Sequence, residues 1–102
     1  MSHTPFFSPK RTGETLIITF DFRNILTTGE TIESSVWSVG VKSGSDPSPS
    51  SMLSGSPSIS GTLVSHKVTG GVDKTVYSLL GQIVTSIGQT IEGVGLVHVT
   101  DS

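Results

Sequence analysis

Gly70–Val99 reads GGVDKTVYSLLGQIVTSIGQTIEGVGLVHV, two runs of strand-forming residues around Ser86-Ile87-Gly88-Gln89. The intervening four residues make a short turn, with a glycine where a positive φ costs little. In the first run Tyr77, Leu79, Gly81 and Ile83 share one parity; in the second Gly95, Val97 and Val99 do. Spacing of period two lines such side chains along one face of a sheet. A β-hairpin is expected, with the rest of the chain packed on that face. The opposite parity carries Val76, Leu80, Val84, Val94 and Leu96. An antiparallel sheet facing water normally shows polar residues there. Burying each of these five would contribute roughly 1.5 to 3 kcal/mol, against an association cost of roughly 4 to 15 kcal/mol. The outer face is therefore read as a subunit contact, rather than a surface covered by the chain's own loop.

Upstream, Glu14–Arg23 (ETLIITFDFR) alternates cleanly, with Leu16, Ile18, Phe20 and Phe22 on one parity. This is a strand. Thr28-Gly29 supplies a turn after it, and Ile25 and Leu26 are expected to plug one end of the core. Thr31–Val41 (TIESSVWSVGV) is a second strand, placing the single tryptophan, Trp37, beside Val39 as a core plug whose indole N–H needs an acceptor. Gly61–Thr69 is a third, with Val64, His66 and Val68 in phase. His66 reads as a core-edge histidine satisfied by one hydrogen bond. Tyr77, just after the Gly70–Lys74 turn, suits a tyrosine corner whose hydroxyl bonds back to that turn.

Two segments do not alternate. Residues 42–60 (KSGSDPSPSSMLSGSPSIS) have the composition of a long Ser/Pro-rich loop, in which Met52 and Leu53 form a brief edge piece or pin and a candidate contact. Residues 1–13 read as an N-terminal arm, with Phe6 and Phe7 between Pro5 and Pro9. Those aromatics either fold back as an edge segment or dock on a neighbouring subunit, where aromatics are favoured anchors. Residues 14–102 then form one domain. Strands without helical periods, counted with these edge pieces, reach about seven, and the fold expected is an all-β, immunoglobulin-like antiparallel sandwich.

Composition bounds the function. Of 102 residues 33% are hydrophobic and only 14% charged, with a net charge of −2, which leaves no basic footprint for nucleic acid or a membrane surface. No stretch approaches the roughly 20 apolar residues of a membrane span, and MSHTPFFSPK lacks the apolar core of a secretory signal. A soluble protein is expected. Without cysteine there is no disulfide, thiolate metal site or thiol nucleophile. His3, His66 and His98 do not share a metal-ligand spacing. The eight acidic residues are scattered over strand ends and loops, without the paired spacing of acid–base catalysis. No enzyme, cofactor, metal or small-molecule substrate is expected.

The ordered set LIITFDF, GETIESSVWSV (Gly29–Val39), TGG (Thr69–Gly71) and VYSLLGQIVTSIGQT (Val76–Thr90) resembles the small Ig-like tail proteins of tailed bacteriophages known as fiber-tail adaptors. The likeness covers about Thr15–Val99. The long 42–60 segment, the arm, and apolar Val76, Leu80 and Val84 where Thr or Arg is expected all depart from the family pattern. The resemblance implies a non-enzymatic virion structural protein, made in the host cytoplasm. It implies several copies, at the tail, head–tail connector or fibre junction, and partners among other virion proteins and copies of itself. It carries no catalytic residue over. A capsid decoration protein and a carbohydrate-binding or adhesion module are the alternatives. The second is the weaker, because only Phe6 and Phe7 could offer exposed rings to a sugar.

Overall fold

The computed structural model describes residues 7 and 9–101; Phe6 lies outside the described residues. Six strands form: β1 (Thr15–Asp21), β2 (Ile32–Ser43), β3 (Leu53–Ser60), β4 (Leu63–Thr69), β5 (Thr75–Thr85) and β6 (Thr90–Val99). They make two three-stranded antiparallel sheets, β1-β4-β3 and β2-β5-β6. The product is a β-sandwich.

The terminal hairpin is β5–β6, in register with Tyr77 opposite Val97, Leu79 opposite Gly95 and Gly81 opposite Gly93. Its turn closes with Gly88 N–H donating to Thr85 O (3.0 Å) and Thr85 N–H to Gln89 O (2.9 Å), at a Gly88 φ of +86°. Inward-facing residues of both sheets meet in one core. Ile18, Phe22, Trp37, Val64, Val68, Tyr77, Leu79, Ile83, Val97 and Val99 are buried, while Leu16, Phe20 and Val39 are half-buried and pack against them. Leu26 joins this packing, but Ile25 points to solvent at 54% exposure. The turn after β1 admits only one of the two to the core.

Aromatic rings run through the core. Phe20 lies 5.0 Å from Trp37, 6.2 Å from Phe22 and 5.6 Å from Phe7 between centroids, and Trp37 lies 5.4 Å from His66. Phe20 is seated in a notch that exists because Gly81 and Gly93 face each other across β5–β6. A methyl carbon at Gly81 would sit 2.8 Å from the Phe20 ring, and one at Gly93 would sit 3.0 Å from it. Trp37 Nε1 donates to Ser35 Oγ (3.1 Å), which in turn donates to Gln82 O (3.0 Å). The indole is thereby satisfied without water. His66 is buried, with Nδ1 3.0 Å from Lys67 O.

Two expectations are corrected. Residues 42–60 are not one loop: Lys42 and Ser43 complete β2, a 3₁₀ turn spans Pro49–Met52, and Leu53–Ser60 is strand β3. Serine carries little strand signal, and Pro57 argues against a strand unless it lies on an edge. That is where β3 lies, and its register shifts between Ser54 and Ser58, around Pro57. Among the described residues six strands therefore stand in place of about seven, and the described part of the arm contributes a single parallel bridge, Lys10 to Val99.

Gly81→Ala is expected to destabilise the protein by about 1–3 kcal/mol by driving a methyl group into Phe20. Gly40→Ala, which meets nothing within 4 Å, should stay within about 0.5 kcal/mol of wild type. Trp37→Ala should cost roughly 3 to 5 kcal/mol. Urea denaturation of the three variants checks all of this.

Candidate assembly surfaces

The arm is built into the sandwich from Phe7 onward. Phe7 N–H donates to Leu96 O (2.8 Å), Lys10 N–H to His98 O (3.0 Å) and Thr100 N–H to Lys10 O (2.8 Å). These bonds run the arm parallel to β6 and cover its edge from Leu96 to the end of the strand. Phe7 packs edge-on against Phe20 and lies directly over Gly95, where a β-carbon would collide with its ring. Phe7 is thus an intramolecular anchor: of its two readings, the edge segment folded back on its own domain holds and the subunit contact is corrected. The physical reason is the bare backbone at Gly95, which lets the ring enter between the sheets.

Lys10 is almost wholly buried, at 1% exposure. Its ammonium donates to Gly70 O and Arg11 O, both at 2.7 Å. Burial pushes its pKa down from the ordinary lysine value, with Glu14 and Asp101 pulling the other way. A charged group so placed needs partners, and the Gly70 carbonyl ties the arm to the turn between β4 and β5.

Beyond Lys10 the arm is clasped by Asp101. Thr12 N–H donates to Asp101 Oδ1 (3.0 Å), and the Thr12 hydroxyl lies within 3.2 Å of Oδ1 and 3.0 Å of Oδ2. Asp101 N–H donates to Asp73 Oδ1 (2.9 Å), and Arg11 N–H donates to Glu14 Oε1 (2.7 Å). The Thr12 backbone bond, then its hydroxyl, hold the Asp101 carboxyl below the usual carboxylate range, with Arg11 and Lys10 adding to the effect.

Met52 and Leu53 are also not contact residues. Met52 is 1% exposed, and Leu53 is half-buried against the core. The 3₁₀ turn folds Met52 inward, so that its methyl end lies next to Gly71 and so close that a β-carbon there would be 3.3 Å away.

The outer face of β2-β5-β6 carries the remaining candidates. Val84 and Val94 are 37% and 40% exposed, and Val76 and Leu80 are half-buried. Leu96 shares this parity but is only 9% exposed, at the position where the arm bonds to β6. Leu80 pairs with Val94 across the β5–β6 ladder. Sequence reasoning missed Val36, 66% exposed on β2 opposite Gln82. Its alternation with Trp37 was the available signal. Gln82 and Glu92 interrupt the apolar side chains with a 3.1 Å hydrogen bond, so the face is mixed rather than uniformly apolar.

The acidic side chains are occupied structurally. Asp46 accepts from the Tyr77 hydroxyl (2.7 Å), which accepts from Val72 N–H (2.8 Å) and so fixes the tyrosine corner. Burial first, then the Asp46 bond, push the Tyr77 pKa up. Asp21 accepts from Arg23 N–H and the Thr62 hydroxyl, and Glu30 accepts from Thr27 N–H. Glu33 accepts from the Thr31 hydroxyl. Among the described residues no three His, Asp or Glu side chains could hold a metal together.

Two outcomes are expected for the arm. Gly95→Ala should evict Phe7 and speed tryptic cleavage after Lys10 and Arg11, with the remaining sandwich intact by mass spectrometry. Because the folded pKa of Asp101 is depressed, the clasp is intact above the ordinary carboxyl range and is lost as pH falls through the lowered value. Hydrogen exchange at the Thr12 amide should show that acid transition, and Asp101→Asn should remove it.

Residues 10–97 match one protein family, described as podophage GP4 fiber-tail adaptor protein gp77. No curated protein matches the chain.

Proposed function

Because the chain belongs to the podophage GP4 fiber-tail adaptor family, we propose that it is a non-enzymatic structural protein of the virion, seated between tail and fibre. It is made in the host cytoplasm and joins the particle by docking against other tail or fibre proteins. The observation that carries this reading, beside the family, is the outer face of β2-β5-β6, where Val36, Val84 and Val94 stand exposed on a rigid sheet. Sheet positions of this kind normally hold polar residues, and a virion partner of matching apolar surface would remove them from water. Hydrogen-bonded use of the acidic side chains within the fold supports a structural rather than catalytic role. Phe7 is committed to its own core, and the described part of the arm serves this function by closing the C-terminal end of the β6 edge.

Val84→Lys with Val94→Lys places two charges on the face at exposed positions. The doubly substituted protein should keep its melting temperature within a few degrees yet enter assembled particles at a small fraction of the wild-type level. Quantitative mass spectrometry of purified virions reads this. Incorporation at the wild-type level would exclude the face as the docking surface.

A further inference from the structure

The four sheet edges are not equivalent. The β6 edge is covered by the arm from Leu96 onward, through the bonds at Phe7 and Lys10, and its first half carries Glu92. The β3 edge is broken by its register shift and carries Pro57, which has no N–H to donate. The β1 edge is seven residues long, and Phe7 shares a groove with Leu16–Thr19 beside it. The β2 edge differs from all three. It is twelve residues long, and its outward positions Ser34, Val36, Ser38 and Gly40 are all exposed.

Among the described residues its only pairing partner is β5, and the register is regular from Ser34–Val84 to Val41–Tyr77. At each end the register slips by one residue: Glu33 is the extra residue between Ile32 and Ser34, and Lys42 the extra one between Val41 and Ser43. The two charges on β2 therefore sit on its two irregularities. Between them lie eight residues, SSVWSVGV, without charge or proline. Natural sheets protect an exposed edge with inward charges, proline, bulges or short length. Here the bulges and charges bracket a window and leave its middle open.

We propose that this window is a pairing edge for a second copy of the same chain, with Ser34–Val41 of each copy antiparallel to the other about a two-fold axis. Strand addition to an open edge is a recurrent mode of association, and a two-fold contact uses one patch twice. Charge selects the occupant. Antiparallel pairing brings the Glu33 end of one β2 to the Lys42 end of the other, so opposite charges meet at both ends, whereas parallel pairing would set Glu33 beside Glu33 and Lys42 beside Lys42. Keeping both outer faces on one side of the joined sheet requires directly opposed residues of equal parity. Centring the axis on Ser38 meets this and places Lys42 opposite Ser34, next to Glu33. The result is one continuous six-stranded sheet, with two copies of the Val36, Leu80 and Val94 surface side by side. This inference stands on the β2 edge alone and does not depend on the adaptor reading.

Sedimentation velocity of the full chain over a range of concentrations tests it. A monomer–dimer equilibrium is expected, with amides of Ser34–Val41 gaining hydrogen-exchange protection as the dimer fills. Glu33→Lys should weaken the dimer by roughly tenfold, as expected when exposed ion pairs become repulsions. Glu33→Lys combined with Lys42→Glu should return it to near the wild-type constant. A monomer at every concentration overturns the proposal. So does a dimer indifferent to both charge changes, which would place the contact on another surface.

Discussion

Phe20 seated over paired glycines is the contact on which the sandwich depends. The ring comes from the β1 sheet and enters the other sheet where Gly81 and Gly93 oppose one another across the β5–β6 ladder. Two positions lacking side chains leave space for one large ring, and the two sheets approach closely there. Trp37 and Phe22 pack against the flanks of that ring, and Phe7 seals its open edge. The same device recurs one step along β6. Gly95 makes room for Phe7, so the arm is bound by the principle that joins the sheets.

Polar groups complete what ring packing begins. With a third of the chain hydrophobic, the domain holds its ends through short side chains that bond to backbone. Asp101 clasps Thr12, Asp46 and Val72 hold the Tyr77 hydroxyl, and Ser35 links the Trp37 indole to the β5 backbone. Each bond satisfies a group that the fold would otherwise leave without a partner. Lys10 is the extreme instance, a buried ammonium turned onto two carbonyls. Its stem fills space as an aliphatic chain would, while its head pins the arm to the Gly70 turn.

These commitments decide what remains for partners. An aromatic arm is an obvious candidate to grip a neighbour, yet its described aromatic is consumed by the molecule's own core. Among the surfaces left open are two of the β2-β5-β6 sheet: its outer face, where Val36, Val84 and Val94 stand among polar neighbours, and its β2 margin. Both belong to one three-stranded sheet. For a structural part of a phage tail, that gives contacts of fixed geometry rather than adaptable loops.

Alternation in Leu16–Phe22, Trp37–Val39, Val64–Val68 and Tyr77–Val99 was sufficient to assign β1, β2, β4, β5 and β6 and to say which of their side chains turn inward. The turn at Ser86–Gln89, the tyrosine corner and the family were legible in the same residues. These follow from the sequence because side-chain parity is a local property of an extended backbone. The full length of β3 was not legible, and for the arm and Met52 the sequence offered alternatives without deciding between them. Where an extended segment pairs is settled by backbone hydrogen bonds, which every residue but proline offers alike, and by space that distant residues leave empty. Nothing near Phe7 announces Gly95, and nothing near Ser58 announces Ser65. Only the assembled sandwich sent the arm to β6, made a strand of a serine-rich segment and turned Met52 inward. It did so because an empty notch and an unpaired edge exist only once both sheets are in place.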